Sequence, residues 1–200
     1  VNVAGASDIR ALRIRHPLKS ETGNGEKKMN KLLTKSLALG MSASAAMADS
    51  YTVTVTNNLS EELLAPVLLT DAANDASLFT MGYVTPAAEA QILTGDPKTV
   101  VEALGMDMVT VAHGTDGPPG VLLAPGKSIT FDFESDASAV RLLAMVAPTM
   151  LPDTYVSALI DLNAGATSVE LPRFDIGHDE GTKMNTRTGE AAATVTFVKK

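Results

Sequence analysis

Two hundred residues without a single cysteine, carrying 23 acidic against 16 basic side chains, set the first bounds on this chain. The missing cysteines exclude thiol catalysis, thiolate metal sites and Cys-anchored lipidation. A formal net charge of −7 makes nucleic acid a poor partner, because phosphate binding needs a basic footprint.

The basic charge gathers at the N-terminus. Residues 1–28 show no apolar periodicity and begin with Val where a translated chain begins with Met. The simplest account is a start site assigned too far upstream, with Met29 as the true start; a genuine extension is the alternative. Met29-Asn30-Lys31-Leu32-Leu33-Thr34-Lys35 is a short basic segment, residues 36–47 form a modest apolar run, and Ala46-Met47-Ala48 has the A-x-A form of a signal-peptidase site. The run is too short to span a bilayer, which needs ~20 residues. Residues 29–48 are therefore expected to be a secretory signal peptide, with residues 49–200 periplasmic or secreted and without a transmembrane segment after cleavage. That remainder holds 8 Lys/Arg and 20 Asp/Glu, a net charge of about −12 suited to cations or to basic protein patches. Disulfides are permitted in such a compartment, so a cysteine-free domain must rely on its core, as about 150 residues can.

Tyr51-Thr52-Val53-Thr54-Val55-Thr56 alternates strictly and predicts a half-buried strand stopped by Asn57-Asn58. Residues 63–69 form a second apolar run whose Pro66 marks an edge or a strand start. Ser77-Leu78-Phe79-Thr80-Met81 is a short third candidate. Thr85-Pro86 and Asp96-Pro97 each set a capping residue before proline, Thr99 and Glu102 have capping-box spacing, and Gly95 and Gly105 supply stops. Two short helices are expected, inserted in a β chain and packed on its sheet. Residues 108–112 predict a strand and 113–120 a loop. Ile129, Phe131 and Phe133 alternate with polar residues, 141–147 is continuously apolar as in a strand buried on both faces, and 155–162, 167–174 and 194–198 complete the set, with Val195 and Phe197 inward. Eight or nine short strands separated by turns predict one all-β domain, an antiparallel β-sandwich.

Most constellations are structural. Asp132-x-Glu134-x-Asp136 lacks the glycine and the terminal carboxylate of an EF-hand loop and fits the solvent face of its strand. His113 and His178 lack zinc-ligand spacing, and no Gly-x-Ser-x-Gly or Ser-x-x-Lys signature is present. With no Trp and three dispersed Tyr, an aromatic sugar platform is missing, which leaves a polar or Ca²⁺-assisted site as the form sugar binding would take.

The exception is Arg173-Phe174-Asp175-Ile176-Gly177-His178-Asp179-Glu180-Gly181, with three carboxylates and a histidine in six residues and two glycines interleaved. Hard oxygen ligands set close together are what Ca²⁺ requires, although a solvated acidic turn has the same composition. Asp153, at the Pro-marked turn before the strand over 155–162, lies two turns earlier. Chain direction reverses at each turn, so both turns fall at the same end of a sandwich, and Asp153 is expected to converge with Asp175 and Asp179.

Pro152-Asp153, a strand, and then Asp175-x-Gly177-x-Asp179-x-Gly181 resemble the spondin domain, the N-terminal domain of F-spondin and mindin, and most of all its secreted bacterial members. The opening Tyr51–Asn57 strand, Ser77-Leu78-Phe79, the short helices and Leu123-Ala124-Pro125-Gly126-Lys127 extend the likeness over essentially all of 51–200. The resemblance implies a C2-like antiparallel β-sandwich with a divalent-cation site, usually Ca²⁺ (Mg²⁺ being the other candidate), on loops at one end. Carried over by position, the ligands are Asp153, Asp175 and Asp179. Ile176 and His178 depart from the family's usual Ala and Thr, and Thr154 replaces an aromatic or small residue. The expectation is a non-catalytic adhesion or surface-interaction domain whose partner is an extracellular or envelope protein or polysaccharide. A periplasmic metal-dependent hydrolase with His178 or Glu180 as acid/base, and a purely structural envelope protein, are the alternatives.

Overall fold

A computed structural model of the protein describes residues 48–112, 122–147 and 153–200. The expected extension and signal peptide up to residue 47, the 113–120 loop with His113, and Pro152 lie outside the described residues.

Alternation builds the first layer. In β1 (Asp49–Asn57), Tyr51, Val53 and Val55 are buried while the intervening threonines are half-exposed. β6 (Ser128–Ser135) pairs with it antiparallel, and Asp132, Glu134 and Asp136 face solvent, as expected for a strand's outer face. β10 (Thr186–Lys199) lies on the other side of β1, with Val195 and Phe197 fully buried, and β9 (Thr167–Asp175) pairs with β10.

The second layer comprises β2 (Leu63–Asp71), β5 (Thr110–Val111), β7 (Ala139–Ala147) and β8 (Thr154–Asp161). The continuous apolar run of β7 is explained by cover on both faces. Leu142, Ala144 and Val146 enter the main core, while Leu143 joins a smaller one under the helices. Hydrogen bonding connects these eight strands in the order β5-β2-β7-β8-β9-β10-β1-β6. Between β8 and β9, however, the ladder is limited to Thr154–Val156 against Arg173–Asp175. Side chains from both halves fill one main core, among them Val53, Phe133 and Phe197 from one and Leu64, Val146 and Ile160 from the other. The sheet therefore folds over along the short β8–β9 seam, giving the antiparallel two-layered all-β fold. Each fully buried Val, Leu or Phe contributes ~1.5–3 kcal/mol.

Pro66 is a correction to the expected edge or strand start. β2 is an inner strand, and its register with β7 shifts between Ala65 and Leu68, so the ladder skips the residue that lacks an N–H. The run 77–81 is also not one strand. It begins in a 3₁₀ turn (Ala72–Ser77), and β3 (Phe79–Thr80) forms a minimal hairpin with β4 (Tyr83–Val84).

The helices are α1 (Pro86–Thr94) and α2 (Lys98–Leu104). Thr85 caps α1 by accepting from the Ala88 N–H at 3.4 Å, and Gly95 ends it in the left-handed region. Asp96 accepts from the Lys98 N–H at 2.9 Å, but Thr99 forms no capping box. Its hydroxyl donates to the Ala87 carbonyl at 3.0 Å and ties α2 to α1. Ala88, Ile92 and Val100 pack with Leu68, Leu143, Tyr155 and Ile176, so the helix layer sits against the strands that carry the acidic turn. Among the described residues, no helix is long and apolar enough to cross a membrane.

Tyr155 anchors this region. Its ring stacks on Phe79 (6.0 Å) and Phe174 (5.4 Å), and its hydroxyl donates to Asn185 Oδ1 at 2.7 Å. Burial holds its proton well above the usual tyrosine value of about 10. The unfolded chain loses this proton first, so the contribution is whole below pH ~10 and declines as pH rises beyond it. Tyr155→Phe is expected to lose ~1–2 kcal/mol at neutral pH and to remove the last tyrosinate step from an absorbance titration.

Candidate metal centre

The seam between β8 and β9 brings the acidic residues together. Antiparallel pairing sets the start of β8 beside the end of β9, with Thr154 opposite Asp175. Asp153, one residue before β8, is completely buried, and Asp175, the last residue of β9, is 6% exposed. The chain then leaves the sheet through Ile176, whose buried side chain anchors the turn in the helix-side core.

The turn closes on itself and on Asp153. Gly177 at φ +64° and Gly181 at φ +70° take left-handed conformations, and the Lys183 N–H donates to the Gly177 carbonyl at 2.9 Å. Asp175 Oδ1 accepts from the Gly177 N–H at 2.6 Å. Asp153 Oδ2 accepts from the His178 N–H at 2.6 Å and from the Asp179 N–H at 3.3 Å. Asp153 Oδ1 is buried with no hydrogen-bond partner among the described residues. A buried carboxylate oxygen without a donor carries an uncompensated desolvation penalty that a bound cation would remove.

One carboxylate oxygen from each of Asp153, Asp175, Asp179 and Glu180 lies within 4.8 Å of the others. Two oxygens each about 2.4 Å from one ion stand at most about 4.8 Å apart, so the cluster has the span of a Ca²⁺ coordination sphere. The three aspartates singled out in the sequence are thus adjacent. Glu180 joins them although the sequence ligand set omitted it. Its place beside Asp179 was the available signal, but side-chain direction in a turn does not follow strand alternation. Crowding is visible in its proton affinity, since the Glu180 carboxyl is raised above the ordinary glutamate value, first by its hydrogen bond with Asp179.

His178 turns away from the carboxylates. Its Nδ1 pairs with Glu89 Oε1 on α1 at 3.0 Å, and Lys183 Nζ approaches the same oxygen at 3.4 Å. Hydrogen bonding to His178, followed by the Lys183 interactions, lowers the Glu89 carboxyl below its usual range despite opposing desolvation. The acidic turn is therefore moored to the helix layer by its own two basic side chains.

Comparison with protein families finds no family model that matches the chain, and comparison with curated proteins finds no match.

Proposed function

We propose that this protein is a secreted or periplasmic β-sandwich of the spondin type that binds one divalent cation, calcium in the first instance and magnesium as the competitor, through Asp153, Asp175, Asp179 and Glu180. The observation that carries the reading is the buried, partnerless Oδ1 of Asp153 beside three further carboxylates. Four carboxylates offer the oxygen-rich, flexible coordination that Ca²⁺ favours over the stricter octahedron of Mg²⁺. The role is non-catalytic. His178, the nearest acid/base group by sequence, is engaged with Glu89, and the ion's part is to neutralise the turn, fix it to the seam and present a surface for adhesion.

Titration calorimetry and thermal melts of the purified protein with Ca²⁺ and Mg²⁺ provide the test. Calcium at about 100 times its dissociation constant is expected to stabilise by ~2.7 kcal/mol, or about 5–10 °C at this size. The triple variant Asp153→Ala, Asp175→Ala, Asp179→Ala is expected to show neither heat nor shift. Identical behaviour of the two proteins would leave only the structural-envelope alternative, while ester or phosphoester turnover abolished by Asp175→Asn would establish the hydrolase.

A further inference from the structure

Beside the carboxylate cluster lies a cavity of about 370 Å³, lined by Asp175, Glu180, Thr182, Met184, Thr186 and Thr188. Its size falls in the range of small-molecule pockets, ~300–1,000 Å³. Two of its residues come from the start of β10, where the strand is irregular. Thr186 pairs directly with Asp175, and Thr188 is the additional residue at the register shift between Arg187 and Gly189. Both threonines are exposed and line the cavity with two of the proposed ion ligands. The Thr186 hydroxyl donates to the Met184 carbonyl at a long 3.4 Å and keeps its lone pairs for a ligand's hydroxyl. Met184, 57% exposed, supplies the apolar part of the lining.

Charge decides what enters. Four carboxylates around one divalent cation retain a formal charge of about −2. Lys183, the nearest basic side chain on the turn, is already drawn to Glu89. A carboxylate or phosphate ligand meets the repulsion of that excess negative charge, which is stronger near a protein surface than in bulk water. A neutral ligand meets none. Vicinal hydroxyls are neutral, are hard enough to replace water on Ca²⁺, and exchange hydrogen bonds with threonine hydroxyls that both donate and accept. The C–H face of a sugar ring fits a polarisable thioether such as Met184.

We propose that the cavity is a calcium-dependent subsite for a neutral saccharide, held by ring hydroxyls on the cation and by Thr186 and Thr188. This rests on the cation reading above and narrows its partner from protein or polysaccharide to a neutral glycan. The test measures retention of the purified protein on immobilised mannan, dextran and galactan in millimolar calcium chloride or in EDTA, followed by calorimetry with oligosaccharides of the retaining polymer. Retention on at least one neutral polymer in calcium, lost in EDTA, is expected. The double variant Thr186→Val, Thr188→Val is expected to keep the calcium heat and melting temperature while its saccharide affinity falls at least about tenfold. Normal calcium binding with no retention on any of the three polymers overturns the saccharide proposal and leaves the cation site standing, as does full retention by the Thr→Val protein. Absence of calcium binding overturns both.

Discussion

Asp153→Asn is expected to stabilise the ion-free protein while abolishing its response to calcium. An asparagine carbonyl oxygen in the place of Oδ2 still accepts from the His178 and Asp179 N–H groups. The amide nitrogen takes the place of the partnerless Oδ1, and a donor beside the carboxylate cluster is better matched there than a second carboxylate oxygen. One negative charge leaves a cluster in which each like-charge contact costs roughly 1–4 kcal/mol at about 4 Å. A gain of ~1 kcal/mol raises the melting temperature by about 2–4 °C at this size. Asp153→Ala has the opposite sign, because it strands two backbone donors and costs ~1–3 kcal/mol. Thermal melts of both variants with and without Ca²⁺ separate the cases. If Asp153→Asn is destabilised and its calcium shift persists, Asp153 is a structural acceptor and not an ion ligand.

The second large effect is expected at Gly177, where alanine should eliminate the calcium shift and leave the sandwich folded. A Cβ there would collide with Thr182 Oγ1 and lie 3.2 Å from the Lys183 and Met184 backbone nitrogens. The left-handed φ of +64° adds ~1–2 kcal/mol for any L side chain. Thr182 can rotate away, but the backbone must also give. Any shift moves the Gly177 and His178 N–H groups off Asp175 and Asp153. The ion-free melting temperature should fall by several degrees, and Gly177→Ala with Thr182→Ala should recover part of it, since the hydroxyl clash is removed and the φ cost remains. A full calcium shift in Gly177→Ala would show that the turn's backbone does not set the site.

Much of this was legible in the sequence, for identifiable reasons. Tyr51, Val53 and Val55 revealed β1 because one face meets the core and the other meets solvent. The unbroken apolar run of β7 reflected its two covers. Counting reversals placed Asp153 at the same end as Asp175 because antiparallel neighbours join the start of one strand to the end of the next. Other features depend on distant partners. Pro66 suggested an edge since a missing N–H is simplest there, and a register shift inside the sheet serves equally well. Leu78 and Phe79 looked like strand residues, yet Leu78 is buried beneath the helices and the chain turns at Met81, which is 94% exposed. The mooring of His178 and Lys183 by Glu89 links residues roughly ninety positions apart, and no local pattern announces it.

The three-rung join between β8 and β9 gives the molecule a spine. The two halves of the sandwich meet there as the boards of a book meet their binding, and the carboxylates sit at that binding. A cation held by Asp153 from one board and Asp175 from the other would act as a stitch through both. In a chain without cysteine it would do reversibly, under the control of ion concentration, what a disulfide does permanently.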